Sequence, residues 1–165
     1  MKIIEYNNFK VQPLAGALGA EILDVDLNKI NDSIFEEIYK AFVDYQVIGI
    51  PNQNLSPDEY LAFGRRWGEI HHYPYMRGLE SHPEILEILK TETDTYAFGN
   101  VWHSDGSFTE IPPKATMLYA QELPPAGGDT LFADMYQAYD TLSDKMKNIL
   151  DLSLIHISEP TRRRG

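Results

Sequence analysis

The spacing of apolar residues changes along this 165-residue chain, and the change limits which folds are open to it. Within residues 34–42 and again within residues 60–67, apolar side chains recur every three or four positions, which is the spacing of an amphipathic helix. After Pro83 the apolar residues occur in short runs, separated by turns rich in proline and glycine, a pattern typical of strands. The sequence therefore predicts an α+β fold, with helices in the first half and a sheet or barrel that begins late and is cut short.

Local signals predict where individual helices and strands begin. A first helix is expected to start near Asp32 or Ser33, where Ser33 and Glu36 have the spacing of a capping box. Ser56, Pro57 and Glu59 mark the clearest start in the chain, because a capping box coincides with proline at the first helical position. Strands are expected at residues 9–13, 20–25, 47–50, 85–90, 117–121 and 130–134, and two further helices at residues 135–142 and 143–150.

Composition excludes several classes of function. The chain has no cysteine, so it cannot be a disulfide scaffold, a zinc ribbon, an iron–sulfur protein or a thiol enzyme. Its formal net charge of −11 argues against a nucleic-acid or anionic-membrane partner, since both carry the same sign. No apolar run approaches the roughly 18 residues of a membrane span, and the first residues lack a signal-peptide core. We therefore expect a cytoplasmic protein without a membrane partner, with a homo-oligomer left open.

The segment Val101–Phe108 contains the residues that most directly indicate chemistry. In an extended segment, side chains two residues apart point to the same face, so His103 and Asp105 are expected to lie side by side. An imidazole and a carboxylate are two of the three ligands of the facial triad that binds non-haem Fe(II) and leaves positions open. A lone His-x-Asp also fits a surface turn capped by the aspartate, so the spacing alone leaves both interpretations open.

Several blocks around this motif resemble one enzyme family. The blocks are Trp102-His103-Ser104-Asp105, Ile111–Ala120, Gly127-Gly128-Asp129-Thr130, and the upstream segments Gly16–Asp26, Tyr45–Ile48 and Phe63–Glu69. Over nearly all of residues 9–151, the sequence resembles the taurine/dichlorophenoxyacetate dioxygenase (TauD/TfdA) family of Fe(II)- and 2-oxoglutarate-dependent oxygenases. The resemblance implies an incomplete double-stranded β-helix, of jelly-roll or cupin-like form, with N-terminal helices.

The resemblance also implies roles for individual residues. His103 and Asp105 match two of the iron ligands, and Thr130 matches the threonine that hydrogen-bonds the carboxylate of 2-oxoglutarate. The expected reaction uses molecular oxygen, hydroxylates a small organic substrate, and releases succinate and CO2. Candidates for the substrate pocket are His71, Tyr73, Trp102 and Phe108. Tyr73 stands where the taurine-specific pattern has a second histidine, which argues against taurine itself.

The end of the chain differs in character from the rest. Residues 152–162 resemble the translated read-through of a sequencing adapter, so we expect residues 1–151 to be the N-terminal part of a dioxygenase domain and residues 152–165 to be a non-native tail. The distal histidine and the 2-oxoglutarate-binding arginine of the family have no counterpart before that tail. With two ligands instead of three, the chain is expected to bind Fe(II) weakly and to be inactive.

Two other classes of function are open at this point. A metal-dependent hydrolase could use the same pair of His103 and Asp105, although no His-Glu-x-x-His spacing accompanies it. A non-catalytic domain could keep the fold without any turnover.

Overall fold

The computed structural model describes residues 5–73, 76–95, 99 and 101–152, which fall into two compact units. The first unit comprises the described residues of 1–24, 37–51 and 120–165, and the second comprises those of 25–36 and 52–119. In chain order the elements are β1 (Lys10–Pro13), β2 (Ala20–Leu23), a 3-10 turn (Leu27–Lys29), α1 (Asp32–Tyr45), β3 (Ile48–Gly49), α2 (Pro57–Trp67), α3 (Met135–Asp140) and α4 (Asp144–Leu152). None of the helices in this described part has the length and apolar character that crossing a membrane requires.

The three strands form one small sheet in the first unit, in the order β1-β2-β3. β1 pairs with β2 in antiparallel orientation, with Val11 opposite Ile22, and β2 pairs with β3 in parallel. Gly19 has a φ of +92°, and its carbonyl accepts the N–H of Leu14, which closes the connection between β1 and β2. The three N-terminal strands predicted from the sequence are therefore confirmed, with somewhat shorter bounds.

The buried core of the first unit draws on both the sheet and α1. Its almost fully inaccessible side chains are Ala20 and Ile22 of β2 and Ile38, Ala41 and Tyr45 of α1. The carbonyl of Tyr45 also accepts the N–H of Gly19 at 2.9 Å, which joins the end of α1 to the start of β2. Because burial of a large apolar side chain contributes about 1.5–3 kcal/mol, these residues are the main source of stability in this unit.

Helix α2 is the framework of the second unit, and it begins as the sequence predicts. The Ser56 hydroxyl accepts the N–H of Glu59 at 3.3 Å, and the Glu59 carboxylate accepts the N–H of Ser56 at 2.7 Å. Hydrogen bonds from the side chain and backbone of Ser56 lower the pKa of Glu59 below its usual value. On the predicted inner face, Phe63 and Trp67 meet Phe35 edge to face, with ring centroids 6.2 Å and 5.3 Å apart.

The start of α1 agrees with the prediction, whereas its cap does not. The helix begins at Asp32, and the side chain of Asn31 caps it by accepting the N–H of Ile34 at 2.9 Å. Ser33 already lies inside the first turn. A capping oxygen must come from the residue just before the helix, because it has to reach N–H groups two or three positions ahead. The capping box expected at Ser33 is therefore wrong.

The strands expected in the second half are not found among the described residues. Segments 85–90, 117–121 and 130–134 have no ladder partner there, and their backbone is irregular. A strand is stable only when its N–H and C=O groups pair with those of a neighbouring strand, and the described residues provide no such neighbour for these segments. The sheet of the described chain is therefore limited to β1–β3, whereas the helices expected between residues 135 and 150 are present as α3 and α4.

Helices α3 and α4 end the described chain. Asp134 caps α3 by accepting the N–H of Gln137 at 2.9 Å, and its second oxygen accepts the side-chain N–H of Gln46 at 3.3 Å. This bond ties α3 to the residue that follows α1. Helix α4 continues to Leu152, one residue past the boundary expected at 151, and residues 153–165 of the expected tail lie outside the described residues. The division at residue 151 stays a prediction.

Two substitutions can check the capping of α1. Asn31→Ala removes the oxygen that accepts the N–H of Ile34, and it is expected to lower the free energy of unfolding by about 1 kcal/mol. Ser33→Ala is the matched control, and it is expected to change that free energy by no more than about 0.5 kcal/mol. Urea denaturation followed by circular dichroism measures both variants. A larger loss in Ser33→Ala than in Asn31→Ala would contradict the capping assignment.

Candidate metal centre

His103 and Asp105 lie side by side in the second unit, as their i and i+2 spacing predicts. Nε2 of His103 is 3.0 Å from Oδ1 of Asp105, and about half of each side chain is exposed (47% and 51%). At this distance the nitrogen and the oxygen can share either a proton or a metal ion. The predicted proximity is confirmed, and the role of the pair as metal ligands stays a prediction.

The backbone determines which nitrogen of His103 faces Asp105. Nδ1 of the ring lies 2.7 Å from the carbonyl oxygen of Val101. Because a carbonyl oxygen only accepts hydrogen bonds, Nδ1 carries the proton, and Nε2 is left to face the carboxylate. The hydrogen bond to Val101 raises the pKa of His103 above its usual value, and the negative charge of Asp105 adds to the rise. Histidines that bind metals are commonly oriented by such a bond from the other nitrogen.

The spacing of the two donor atoms fits a metal ion. Nitrogen and oxygen donors bind such ions at about 2.1 Å, so two donors at adjacent corners of an octahedron are about 3 Å apart. The 3.0 Å between Nε2 of His103 and Oδ1 of Asp105 matches that separation. Within the part of the chain that the structure describes, no group of three or more His, Asp and Glu side chains is arranged to hold a metal. The pair therefore has the donor types and the spacing of two of the three ligands of a facial triad.

A second histidine–aspartate pair occurs in the same unit. Nε2 of His82 is 3.1 Å from Oδ1 of Asp58, and Nδ1 of His82 is 2.9 Å from the hydroxyl oxygen of Ser81. The sequence carries no signal for this pair, because 24 residues separate its members. Sequence reasoning also misses Val101, since a backbone carbonyl that orients a histidine leaves no trace in residue type.

The four residues predicted for the substrate pocket have different surroundings. Trp102 and Phe108, which are close in sequence to His103 and Asp105, are 71% and 57% exposed. His71 is exposed and Tyr73 is half-buried, and both follow α2. An open depression of about 520 Å³ in the second unit is lined by other residues, namely His72, Met76, Arg77, Gly78, Leu79, Glu80 and Pro83. The pocket role of the four residues stays a prediction.

Thr130 belongs to the first unit, whereas His103 and Asp105 belong to the second. The threonine is exposed and lies in irregular backbone, so the strand expected around it is wrong for the described chain. It precedes Asp134, the capping residue of α3, in the same segment. Its contact with 2-oxoglutarate stays a prediction.

Comparison with known sequences relates the chain to one family. The family profile described as taurine catabolism dioxygenase TauD, TfdA family matches residues 10–165. An alpha-ketoglutarate-dependent sulfonate dioxygenase from Saccharomyces cerevisiae is 32% identical, in a match that covers 94% of this chain and 42% of that protein.

Solved structures are similar as well. A taurine dioxygenase from Burkholderia xenovorans superposes with a TM-score of 0.73 and 29% identity, covering 88% of this chain and 51% of that chain. AAD-2 in complex with Mn(II) and N-oxalylglycine superposes with a TM-score of 0.64 and 28% identity, covering 86% of this chain and 48% of that one. The chain therefore spans about half the length of these relatives.

The two histidine–aspartate pairs allow a matched test of metal binding. Mn(II) added to the 165-residue chain is expected to bind at His103 and Asp105 rather than at His82 and Asp58, because the bond from Nδ1 of His103 to the Val101 carbonyl orients the ring and leaves Nε2 as the nitrogen that can bind the ion. Paramagnetic broadening of backbone NMR signals locates the ion. His103→Ala is expected to weaken binding by at least about tenfold, and His82→Ala to leave it unchanged. Broadening centred on His82 would contradict this choice of site.

Proposed function

This chain belongs to the TauD/TfdA family of dioxygenases, and from that membership we propose that the protein is an Fe(II)- and 2-oxoglutarate-dependent dioxygenase that hydroxylates a small organic substrate. The observation that carries the proposal is the pair of His103 and Asp105, whose donor atoms are 3.0 Å apart. The solved structure of AAD-2, which is similar to this chain, is a complex with Mn(II), and this supports the divalent metal that the proposal requires. The chain spans about half the length of its relatives, so the proposal assigns the remaining ligands to the downstream half of the domain.

Each residue of the proposed site has a defined task. Nε2 of His103 and Oδ1 of Asp105 would hold the metal, and the Val101 carbonyl keeps the proton on Nδ1 so that Nε2 stays available. Thr130 would donate a hydrogen bond to a carboxylate of 2-oxoglutarate. When bound, Fe(II) and 2-oxoglutarate supply the oxidising chemistry, in which molecular oxygen and 2-oxoglutarate are consumed, succinate and CO2 are released, and the substrate is hydroxylated. A distal histidine and an arginine, both implied by the family resemblance, would complete the set.

The proposal includes a substrate pocket beside the metal pair. It is proposed to be lined by His71, Tyr73, Trp102 and Phe108. The names of two relatives refer to sulfonates and to taurine. Because Tyr73 replaces a histidine of the taurine-specific pattern, we propose a small organic substrate other than taurine.

The proposal also covers the organisation of the chain. Residues 1–151 would form the N-terminal part of the dioxygenase domain, and residues 152–165 a non-native tail. The complete domain would be a double-stranded β-helix, and its setting the cytoplasm.

The 165-residue chain by itself is expected to be inactive, because it supplies two metal ligands instead of three. Anaerobic addition of Fe(II) and 2-oxoglutarate is therefore expected to give no full-strength visible charge-transfer band. His103→Ala provides the baseline for a chain without the proposed site. A full-strength band that disappears in His103→Ala would show that this chain holds metal and cosubstrate unaided, against the expectation.

The reaction class is tested in a longer protein that adds the downstream part of the reading frame, with its distal histidine and arginine. Oxygen uptake coupled to an equal release of succinate is expected. His103→Ala is expected to abolish both, and His82→Ala to change neither. Hydrolysis without oxygen use that is lost in His103→Ala would favour a metal-dependent hydrolase instead. If His103→Ala changed no turnover at all, a non-catalytic domain would be the better description.

A further inference from the structure

We propose that Thr109 is a positioning residue, whose hydroxyl closes a turn that keeps the Asp105 carboxylate facing His103 and so prepares the pair for a divalent metal ion. The inference rests on the proposed function for the metal, whereas the turn is a feature of the described chain. The hydrogen bonds of Thr109, the conformation of Gly106 and the exposure of Asp105 carry it.

The chain turns back directly after Asp105. The N–H of Thr109 donates to the carbonyl of Gly106 at 3.1 Å. The hydroxyl oxygen of Thr109 lies 2.8 Å from the same carbonyl and 3.0 Å from the carbonyl of Ile111, so its proton can be donated to either or shared between them. Thr109 is half-buried while the residues on either side of it are exposed, so its hydroxyl is an inward-facing polar group of the turn.

Gly106 gives the turn its shape for two independent reasons. Its φ of +61° lies in the left-handed region, which glycine adopts without a steric penalty. A Cβ at this position would also lie 2.6 Å from Cδ of Pro113, closer than two carbon atoms can approach. Lys114, the next residue, donates to the carbonyl of Trp67 at the end of α2 at 3.2 Å. The far side of the turn is therefore anchored to a helix.

The direction of the Asp105 side chain depends on this backbone. The side chain is 51% exposed, and the group that its carboxylate meets is Nε2 of His103. An aspartate with that exposure can move among its staggered χ1 rotamers, which do not all point toward His103. The bonds of Thr109 fix the carbonyl of the next residue, Gly106, and with it the backbone from which the carboxylate projects.

If the carboxylate is already fixed before the metal binds, less conformational entropy is lost on binding. Loss of the Thr109 hydroxyl is therefore expected to weaken metal binding although no ligand is removed. A purely structural role would act differently, because it would lower the free energy of unfolding and leave metal affinity unchanged. The metal affinity of a Thr109 variant therefore separates the two roles.

Two substitutions of Thr109 in the 165-residue chain test the proposal. Thr109→Val keeps the shape and removes the hydroxyl, and it is expected to weaken Mn(II) binding about threefold to tenfold. Thr109→Ser keeps the hydroxyl and is expected to restore affinity close to that of the wild type. Thr141→Val is the matched control, because the Thr141 hydroxyl also donates to two carbonyls, those of Gln137 and Ala138, in the other unit. The electron paramagnetic resonance signal of free Mn(II) measures the affinity of each variant.

A measurement without metal addresses the same point. The three-bond Hα–Hβ couplings of Asp105 report its χ1, and they are expected to average in Thr109→Val but not in Thr109→Ser or Thr141→Val. Unchanged couplings in Thr109→Val, an unchanged Mn(II) affinity, or couplings already averaged in the wild type would each overturn the proposal. If the wild type bound no Mn(II) at His103 and Asp105, the couplings alone would decide the role of Thr109, and oxygen uptake by the longer protein and its His103→Ala variant would decide the proposed function separately.

Discussion

The chain segment that follows His103 and Asp105 is held against α2 by hydrogen bonds between two tyrosine side chains and backbone atoms. Tyr60 of α2 donates its hydroxyl to the carbonyl of Met117 at 2.6 Å. Tyr119 donates to the carbonyl of Gln53 at 3.2 Å and accepts the N–H of Leu55 at 3.0 Å, and the two tyrosine rings stack with centroids 5.7 Å apart. Burial raises the pKa of Tyr60, so its hydroxyl keeps the proton that it donates. These contacts satisfy backbone groups that a ladder would otherwise pair, and they keep the segment against α2.

The features that the sequence predicts well are those decided by residues close together in the chain. The capping box at Ser56 requires residues three positions apart, and the structure contains it. The cap of α1 is harder to predict, because Asn31 and Ser33 are both favourable capping residues. The structure identifies Asn31 as the cap, since the helix begins at Asp32. The strands expected at residues 117–121 and 130–134 depend on a distant partner, and a local pattern cannot identify one. Side-chain contacts with α2 take the place of a ladder at Met117.

The candidate site shows the same division. The i and i+2 spacing predicts that His103 and Asp105 are neighbours, whereas the orientation of the imidazole comes from a backbone carbonyl. The pair of His82 and Asp58 has nearly the same donor distance, yet its surroundings differ. Asp58 lies in the first turn of α2, where the helix dipole already favours a negative charge, and Nδ1 of His82 faces a hydroxyl that can donate or accept. The two pairs therefore differ in the group on the other nitrogen rather than in the distance between donors.

Exposed apolar side chains and unpaired backbone occur in the same part of the chain. Leu123, Leu131 and Phe132 are 73%, 70% and 54% exposed, and no strand includes them in the described residues. Apolar side chains that are exposed in this way can be covered by another segment of chain. A neighbouring β-sheet could satisfy the backbone and cover the side chains together. Its edge strand would pair with the N–H and C=O groups, and its apolar face would cover the exposed side chains. Under the proposed function the downstream half of the domain would supply that sheet, and it would also supply the remaining metal ligands.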